Sequence, residues 1–114
     1  MDHKITAHTP DGVWLIGTID EYPFWAKVCD ESSGFGIDNG RVIKLHVGGS
    51  SYHEEIIAFE RGWDKYPAAE HEDILDALLL FCEDLPAQDI WRNTFRKELR
   101  FLVTEDAVLE YEED

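Results

Sequence analysis

Residues 13–28 read VWLIGTIDEYPFWAKV, and the architecture expected for the first half of the chain starts from this stretch. Apolar residues dominate its first half. The second half alternates between two faces, with Phe24, Ala26 and Val28 together on one of them. Only a short turn beginning at Glu21 separates the two runs. Two strand-like runs joined by so short a turn predict an antiparallel hairpin.

Two further strands are predicted after this hairpin. Residues 41–47 alternate between two faces, and residues 56–59 form a short apolar run. The pair Asn39-Gly40 predicts a tight turn before the third strand, because both residues tolerate a positive φ. We therefore expect a meander of about four antiparallel strands in the first half of the chain.

The second half of the chain has helical periodicity. Ile74, Leu78, Phe81, Cys82 and Leu85 recur at the spacing of one helical face, which predicts a first helix with an apolar stripe. Because Cys82 belongs to this stripe, we expect it to be a buried free thiol.

A second helix is predicted after Asp89, where Trp91, Phe95 and Leu99 continue the four-residue spacing. Residues 99–103 also alternate as a strand would, so both structures stay open there. For the tail, residues 105–114, a short last strand through residues 107–109 and partial disorder are both open.

The predicted fold is a single α+β domain over residues 1–114. It has an antiparallel sheet of about four strands in a meander, followed by two C-terminal helices. Residues 86–114 form a C-terminal extension of this domain.

Charge is the most unusual property of the composition. The chain has 25 acidic and 10 basic residues, a formal net charge of -15 on 114 residues. Such a charge repels phosphates, which argues against direct binding of nucleic acid or of an anionic membrane. A small domain needs a net charge of only about 2–8 for solubility. The excess favours a basic protein surface as partner, although a purely solubilising role stays open.

No targeting or membrane segment is recognisable in the sequence. The chain starts without an apolar leader, and its longest apolar run covers residues 77–82. A membrane-spanning helix needs about 20 apolar residues. We therefore expect a cytoplasmic protein that does not associate with membranes.

No standard catalytic, cofactor or metal motif is recognisable. A calcium loop beginning at Asp30 would need a glutamate where Arg41 stands, and the His71 segment lacks the second histidine of a zinc protease helix. We therefore expect a non-enzymatic protein without cofactor or metal. An active site assembled in space from His46, His53 or Asp30 is a further alternative.

An ordered pattern runs through residues 17–45: GTI, then YxFxAKVxDExS, then GIxxGRVxKL, with FERGWD following at residues 59–64. This pattern resembles a family of small uncharacterised domains that are common in bacteriophages and mobile elements. The resemblance covers about residues 13–85. It implies no catalytic residues, since the family has no assigned activity. The C-terminal part from Pro86 onward is longer than the resemblance leads us to expect.

A second, shorter resemblance concerns residues 57–63, IAFERGW, and the acid-rich helix start that follows. This segment is similar to part of a small acidic anti-CRISPR protein. The similarity implies an inhibitor whose carboxylates occupy the DNA-binding cleft of a CRISPR nuclease.

Acidic residues cluster on both sides of the predicted fourth strand and at the start of the first helix. Carboxylates at the spacing of a strand or helix face imitate the phosphates of a duplex. Trp63 either anchors a partner or fills the core beside a local Arg61–Asp64 pair. The predicted partner-binding residues are Glu54, Glu55, Glu60, Trp63, Asp64, Glu70, Glu72 and Asp73. A second acidic cluster in the tail consists of Glu105, Asp106, Glu110, Glu112, Glu113 and Asp114.

The sequence therefore favours a small inhibitor that binds a basic, nucleic-acid-binding host protein, with a CRISPR effector nuclease as the specific candidate. The alternative is a structural or regulatory phage domain that self-associates. The basic stripe Arg92, Arg96, Lys97 and Arg100 would then face the acids of a second copy in a homodimer.

Overall fold

The computed structural model describes residues 2–49 and 54–111, which form one antiparallel sheet of eight strands with helices on one face. The strands are β1 (His3–His8), β2 (Leu15–Ile19), β3 (Tyr22–Val28), β4 (Val42–Val47), β5 (Ile57–Glu60), β6 (Trp63–Lys65), β7 (Leu99–Val103) and β8 (Val108–Tyr111). The helices are α1 (Glu72–Glu83) and α2 (Gln88–Thr94). The strand order is β6-β5-β4-β3-β2-β1-β7-β8.

The predicted class, α+β, agrees with this structure, but the prediction of about four strands followed by two helices is wrong. The N-terminal strand β1 was not anticipated, and it pairs with β7 nearly a hundred residues later in the chain. Pairing over such a distance leaves no local signal in the sequence. Strand β1 lies between β2 of the first hairpin and β7 of the C-terminal hairpin. The sheet therefore has eight strands, twice the expected number.

The second predicted helix is shorter than its apolar stripe suggests. Helix α2 ends at Thr94, and the stripe residue Phe95 caps it. Leu99 instead begins β7, which confirms the strand alternative for residues 99–103. A last strand is also confirmed, as β8. Trp91, Phe95 and Phe101 all face the same core. The apolar residues that suggested one long helix therefore belong partly to α2 and partly to β7.

The predicted hairpin over residues 13–28 is confirmed. Strands β2 and β3 pair antiparallel, with Leu15 opposite Ala26 and Gly17 opposite Phe24. Gly17 also allows β1 to approach from the other side, since a Cβ at this position would lie 1.7 Å from the carbonyl oxygen of Thr6.

The predicted tight turn at Asn39-Gly40 is wrong. Strands β3 and β4 are joined by a longer loop with a 3₁₀ turn at Ile37–Asn39, and Asp38 and Asn39 have the positive φ values (52° and 57°). Gly40 itself has a negative φ of -95°. A Cβ there would lie 2.6 Å from the carboxylate at the flexible end of Glu83 on α1 and 3.0 Å from the backbone carbonyl oxygen of Ile37, so this part of the loop packs closely against the helix end.

The core lies between one face of the sheet and the two helices. Helix α1 buries Ile74, Leu78 and Phe81 as its spacing predicts. The ring of Phe81 lies 4.8 Å from that of Phe101 and 6.3 Å from that of Phe95. The described part of the C-terminal extension therefore packs into this core.

Cys82 is a buried free thiol, as predicted. Loss of solvation on burial raises its pKa to about 12. In the described ranges, no helix combines the length and the apolar character that a bilayer span requires.

Candidate protein-binding surface

Three of the strand connections lie at one end of the sheet. The β2–β3 turn at residues 20–21, the described parts of the β4–β5 connection (residues 48–49 and 54–56) and the β7–β8 turn at residues 104–107 all lie at this end, as the strand pairing requires. Strand β1 begins here too, since His3 pairs with Val103. The first turn of α1 lies beside them.

Carboxylates occupy nearly every connection at this end, which we call the acidic end. Its acidic residues are Asp2, Asp20, Glu21, Glu54, Glu55, Glu70, Glu72, Asp73, Glu105 and Asp106. Most of these side chains are exposed to solvent. The nearest basic residues are Lys4 and Lys65 on the adjoining strands. Basic residues gather around the opposite end, namely Lys27, Arg41, Arg61, Arg92, Arg96, Lys97 and Arg100.

The structure divides the predicted partner-binding residues into two groups. Glu54, Glu55, Glu70, Glu72 and Asp73 belong to the acidic end. The remaining three lie elsewhere, around the β5–β6 turn at the far end of that hairpin: Glu60, Trp63 and Asp64.

The sequence did not single out Asp20 and Glu21. Their only local signal is a turn between two strands, and the strand order is what brings them next to Asp73. Glu105 and Asp106 were assigned to a separate tail cluster, whose last residues, 112–114, lie outside the described ranges. The β7–β8 turn brings this first part of the tail cluster to the acidic end.

Two of the predicted acids hold a histidine on the open face of the sheet. Glu55 and Glu60 each place a carboxylate oxygen 3.0 Å from a ring nitrogen of His46, one at Nδ1 and the other at Nε2. The imidazole also stacks on Trp25 with a centroid separation of 5.1 Å. Both ring nitrogens are therefore engaged within the protein.

The other residues proposed for an active site do not join His46. Asp30 accepts a hydrogen bond of 2.7 Å from the backbone N–H of Gln88, where it holds the start of α2. His53 lies outside the described residues. Within residues 2–49 and 54–111, no group of three or more His, Cys, Asp or Glu side chains is arranged to hold a metal ion.

Trp63 is exposed at the edge of the sheet, so its interpretation as a core residue is wrong. It begins the outer strand β6 and keeps 40% of its surface in solvent. Its ring packs edge-on against Phe59 at 4.9 Å and Tyr66 at 4.7 Å. Among the described residues, no ion pair links Arg61 with Asp64. We call the exposed pair Trp63 and Tyr66 the aromatic edge.

His3 lies at the centre of the acidic end and is buried, with 4% of its surface exposed. Its Nδ1 lies 2.7 Å from Oδ2 of Asp20, and its Nε2 lies 3.2 Å from Oδ2 of Asp73 on α1. The sequence did not identify this contact, because it depends on the docking of α1 against the start of β1.

Comparison with known proteins assigns part of the chain to a family. Residues 13–83, from before β2 through α1, match the domain of unknown function DUF7678. No curated protein and no solved structure matches the chain. The match agrees with the expected resemblance to a family of uncharacterised domains. Because the matched region covers more than half of the sequence, the chain belongs to the DUF7678 family, a family of unknown function.

Proposed function

We propose that this chain is a non-enzymatic binding protein that covers the basic, nucleic-acid-binding surface of another protein. The acidic end carries this proposal, because it gathers carboxylates from three strand connections, the N-terminus and the start of a helix onto one surface. Arg and Lys side chains that hold phosphates would pair with these carboxylates instead.

The size of the acidic end suits such a contact. Every strand of the sheet except the outer strand β6 contributes to it, which makes seven strands side by side. Neighbouring strands are about 4.8 Å apart. The carboxylates are thus spread over roughly 25–30 Å, which is comparable to a short duplex segment. Attraction between these negative charges and a basic partner would speed the association of the two proteins and make it strongly dependent on salt.

The aromatic edge supplies an apolar contact for the same partner. Exposed tryptophan and tyrosine side chains are the residues that most often dominate binding energy at protein interfaces. Strand β6 runs from Trp63 toward the acidic end, and Tyr66 follows it directly. A partner lying along this edge would reach both surfaces.

The specific form of the proposal is an inhibitor encoded by a phage or mobile element, with a CRISPR effector nuclease as the target. This form rests on the two sequence resemblances. Inhibition would be competitive: while the acidic end occupies the cleft, target DNA or guide RNA is excluded from it.

Two matched variants test the proposal. The acidic-end variant combines Glu21→Gln, Glu70→Gln and Glu72→Gln, and the control combines Glu31→Gln, Asp84→Asn and Asp89→Asn. Each removes three negative charges from exposed positions, at opposite ends of the sheet. Both are used with wild type to capture proteins from host lysate at low and high salt, and mass spectrometry identifies what is retained.

The expected result is a nucleic-acid-binding protein that wild type and the control retain at low salt. Added DNA or RNA should displace it, and the acidic-end variant should lose it. Equal retention by both variants would show that the acidic end is not the interface.

Self-association is the second candidate function. Among the described residues, no further strand pairs with the outer strands β6 and β8, and most basic residues lie opposite the acidic end. Contact between the two ends of different copies would be head-to-tail, which forms rings or open chains rather than the expected homodimer. Light scattering at low and high salt would reveal such assemblies, and a monomer under both conditions would exclude them.

A further inference from the structure

We propose that a pocket at the end of the sheet opposite the acidic end binds a small phosphorylated sugar. Residues 9–13 of the β1–β2 connection line this pocket together with residues of α2 and of the turn after it. Its volume is about 580 Å³, within the roughly 300–1,000 Å³ that is typical of small-molecule sites. The proposal goes beyond the proposed function, because it concerns a second surface and a small ligand instead of a protein partner.

Two arginines line the pocket, Arg92 on α2 and Arg96 just after the helix. The stem of Arg92 lies along the β1–β2 connection, since a Cβ at Gly12 would lie 3.8 Å from its Cδ. Nη2 of Arg92 donates to Oε1 of Gln88 at 3.1 Å, which uses one of the five N–H donors of the guanidinium. Neither arginine forms an ion pair among the described residues, so both positive charges are available to an anion from outside.

A buried hydroxyl without a partner also lines the pocket. Thr9 has only 2% of its surface exposed, and among the described residues no group forms a hydrogen bond with its Oγ1. The backbone of Thr9 is engaged, since its N–H donates to the carbonyl oxygen of Phe95 at 2.8 Å. Most buried side-chain polar atoms in proteins have a hydrogen-bond partner. A phosphate oxygen would supply one here, because a hydroxyl can donate to it at any pH.

A phosphate group matches the two arginines in charge and in geometry. Its oxygens can accept from two guanidinium forks at once, and its charge of about -1.5 to -2 at pH 7 balances both of them. The net charge of the chain opposes such an anion only weakly at this position. The acidic end lies a strand length away, roughly 17 Å along β1, and the Debye length at physiological salt is about 8 Å.

The acids of the pocket indicate what the phosphate is attached to. Asp11 and Asp89 line it as well, and their carboxylates accept the hydrogen bonds that sugar hydroxyls donate. The Asp11 carboxylate is held in place, because its Oδ1 accepts from the N–H groups of Val13 at 2.9 Å and Trp14 at 3.0 Å. A nucleotide fits less well, since no aromatic ring stands among the described lining residues to stack on a base.

The test is an NMR titration of the full chain with ribose 5-phosphate, with inorganic phosphate and with ribose. Ribose 5-phosphate should shift the resonances of Thr9, Gly12 and Asn93 and reach saturation. Its affinity should be at least tenfold above that of ribose, because the phosphate binds the arginines, and at least threefold above that of inorganic phosphate, because the sugar adds contacts.

Arg96→Gln and the matched control Lys97→Gln separate the pocket from the general charge of this end. Both remove one positive charge from exposed neighbouring positions, but only Arg96 lines the pocket. Arg96→Gln should weaken the binding of ribose 5-phosphate at least fivefold, and Lys97→Gln should weaken it less than twofold.

Two further variants test the hydroxyl and the sugar contact. Thr9→Val should weaken the binding of ribose 5-phosphate at least threefold. It should not lower the free energy of unfolding, because the hydroxyl that it removes has no partner within the described protein. Asp11→Asn keeps an oxygen for the turn, and it should weaken the binding of ribose 5-phosphate but not that of inorganic phosphate.

Shifts that never saturate, or equal losses from Arg96→Gln and Lys97→Gln, would overturn the proposal. Equal affinity for inorganic phosphate and ribose 5-phosphate would also overturn it, since the sugar would then make no contact, as would unchanged binding by Thr9→Val. These titrations contain no partner protein, so their outcome is independent of the capture experiment that tests the proposed function.

Discussion

The side chain of Arg41 fastens the end of α1 to the sheet. Its guanidinium donates to the carbonyl oxygens of Cys29 at 2.8 Å, Glu83 at 3.0 Å and Leu85 at 2.6 Å. Its backbone N–H donates to the Glu83 carboxylate at 2.8 Å. The carbonyls at a helix C-terminus lack partners within the helix and attract cations. Arg41 satisfies them while holding the loop before β4.

Arg41→Lys should therefore destabilise the protein although it preserves the charge. A lysine ammonium lacks the planar fork, so it cannot reach these carbonyls together. We expect the free energy of unfolding to fall by about 1.5–3 kcal/mol in urea denaturation, the range for a hydrogen bond to a charged group. Arg61→Lys, in the exposed β5–β6 turn, is the matched control and should change it by less than about 0.5 kcal/mol. Equal effects of the two variants would contradict this role.

Cys82 should make the protein less stable in alkaline solution. Its folded pKa of about 12 lies above that of an exposed thiol, so the unfolded state loses this proton first as pH rises. The stabilisation is complete below about pH 9 and is lost toward pH 12, at up to about 1.4 kcal/mol per pH unit. The free energy of unfolding should be measured by urea denaturation between pH 8 and 11 for wild type and Cys82→Ala. The value for wild type should fall relative to that of Cys82→Ala as pH rises, by up to this slope. Parallel curves would exclude a buried, protonated thiol.

At the scale of elements, the C-terminal hairpin β7–β8 belongs to the same core as the segment matched to the DUF7678 family. Phe101 on β7 packs against Phe81 of α1 at 4.8 Å and against Phe95 at 5.7 Å. We expect Phe101→Ala to reduce the free energy of unfolding by about 3–5 kcal/mol in urea denaturation. Leu109→Ala, on the exposed side of β8, should cost less than about 1 kcal/mol. A small effect of Phe101→Ala would mean that the hairpin is an independent appendage.

The elements with strong local signals could be predicted from the sequence. The β2–β3 hairpin, β4, β5 and the apolar stripe of α1 each depend on spacing within about ten residues. Strand β1 could not be predicted from its sequence, HKITAH. Two of its three buried positions hold a histidine and an alanine, where large aliphatic residues would have given the strand signal. The site followed the same division. The acids before β5 and around the start of α1 were identified, whereas Asp20 and His3 join them only through strand order and helix docking.

Across the whole molecule, crowding of like charges at the acidic end should cost stability. The variant Glu21→Gln, Glu70→Gln, Glu72→Gln is therefore expected to be more stable than wild type at low salt, by about 0.5–1.5 kcal/mol, since each like-charge pair costs a few tenths. The control Glu31→Gln, Asp84→Asn, Asp89→Asn lies among basic residues, so it should gain less or lose stability. At 1 M salt the Debye length falls to about 3 Å, and the gain of the acidic-end variant should disappear.

Urea denaturation at 20 mM and 1 M NaCl measures this difference. Equal gains by both variants would mean that repulsion is spread over the whole surface rather than concentrated at one end. A gain restricted to the acidic end, together with loss of partner capture by the same variant, would place a stability cost and a binding function on the same carboxylates. Solubility requires negative charge but no particular position for it, whereas competition for a basic cleft requires the charges to lie together.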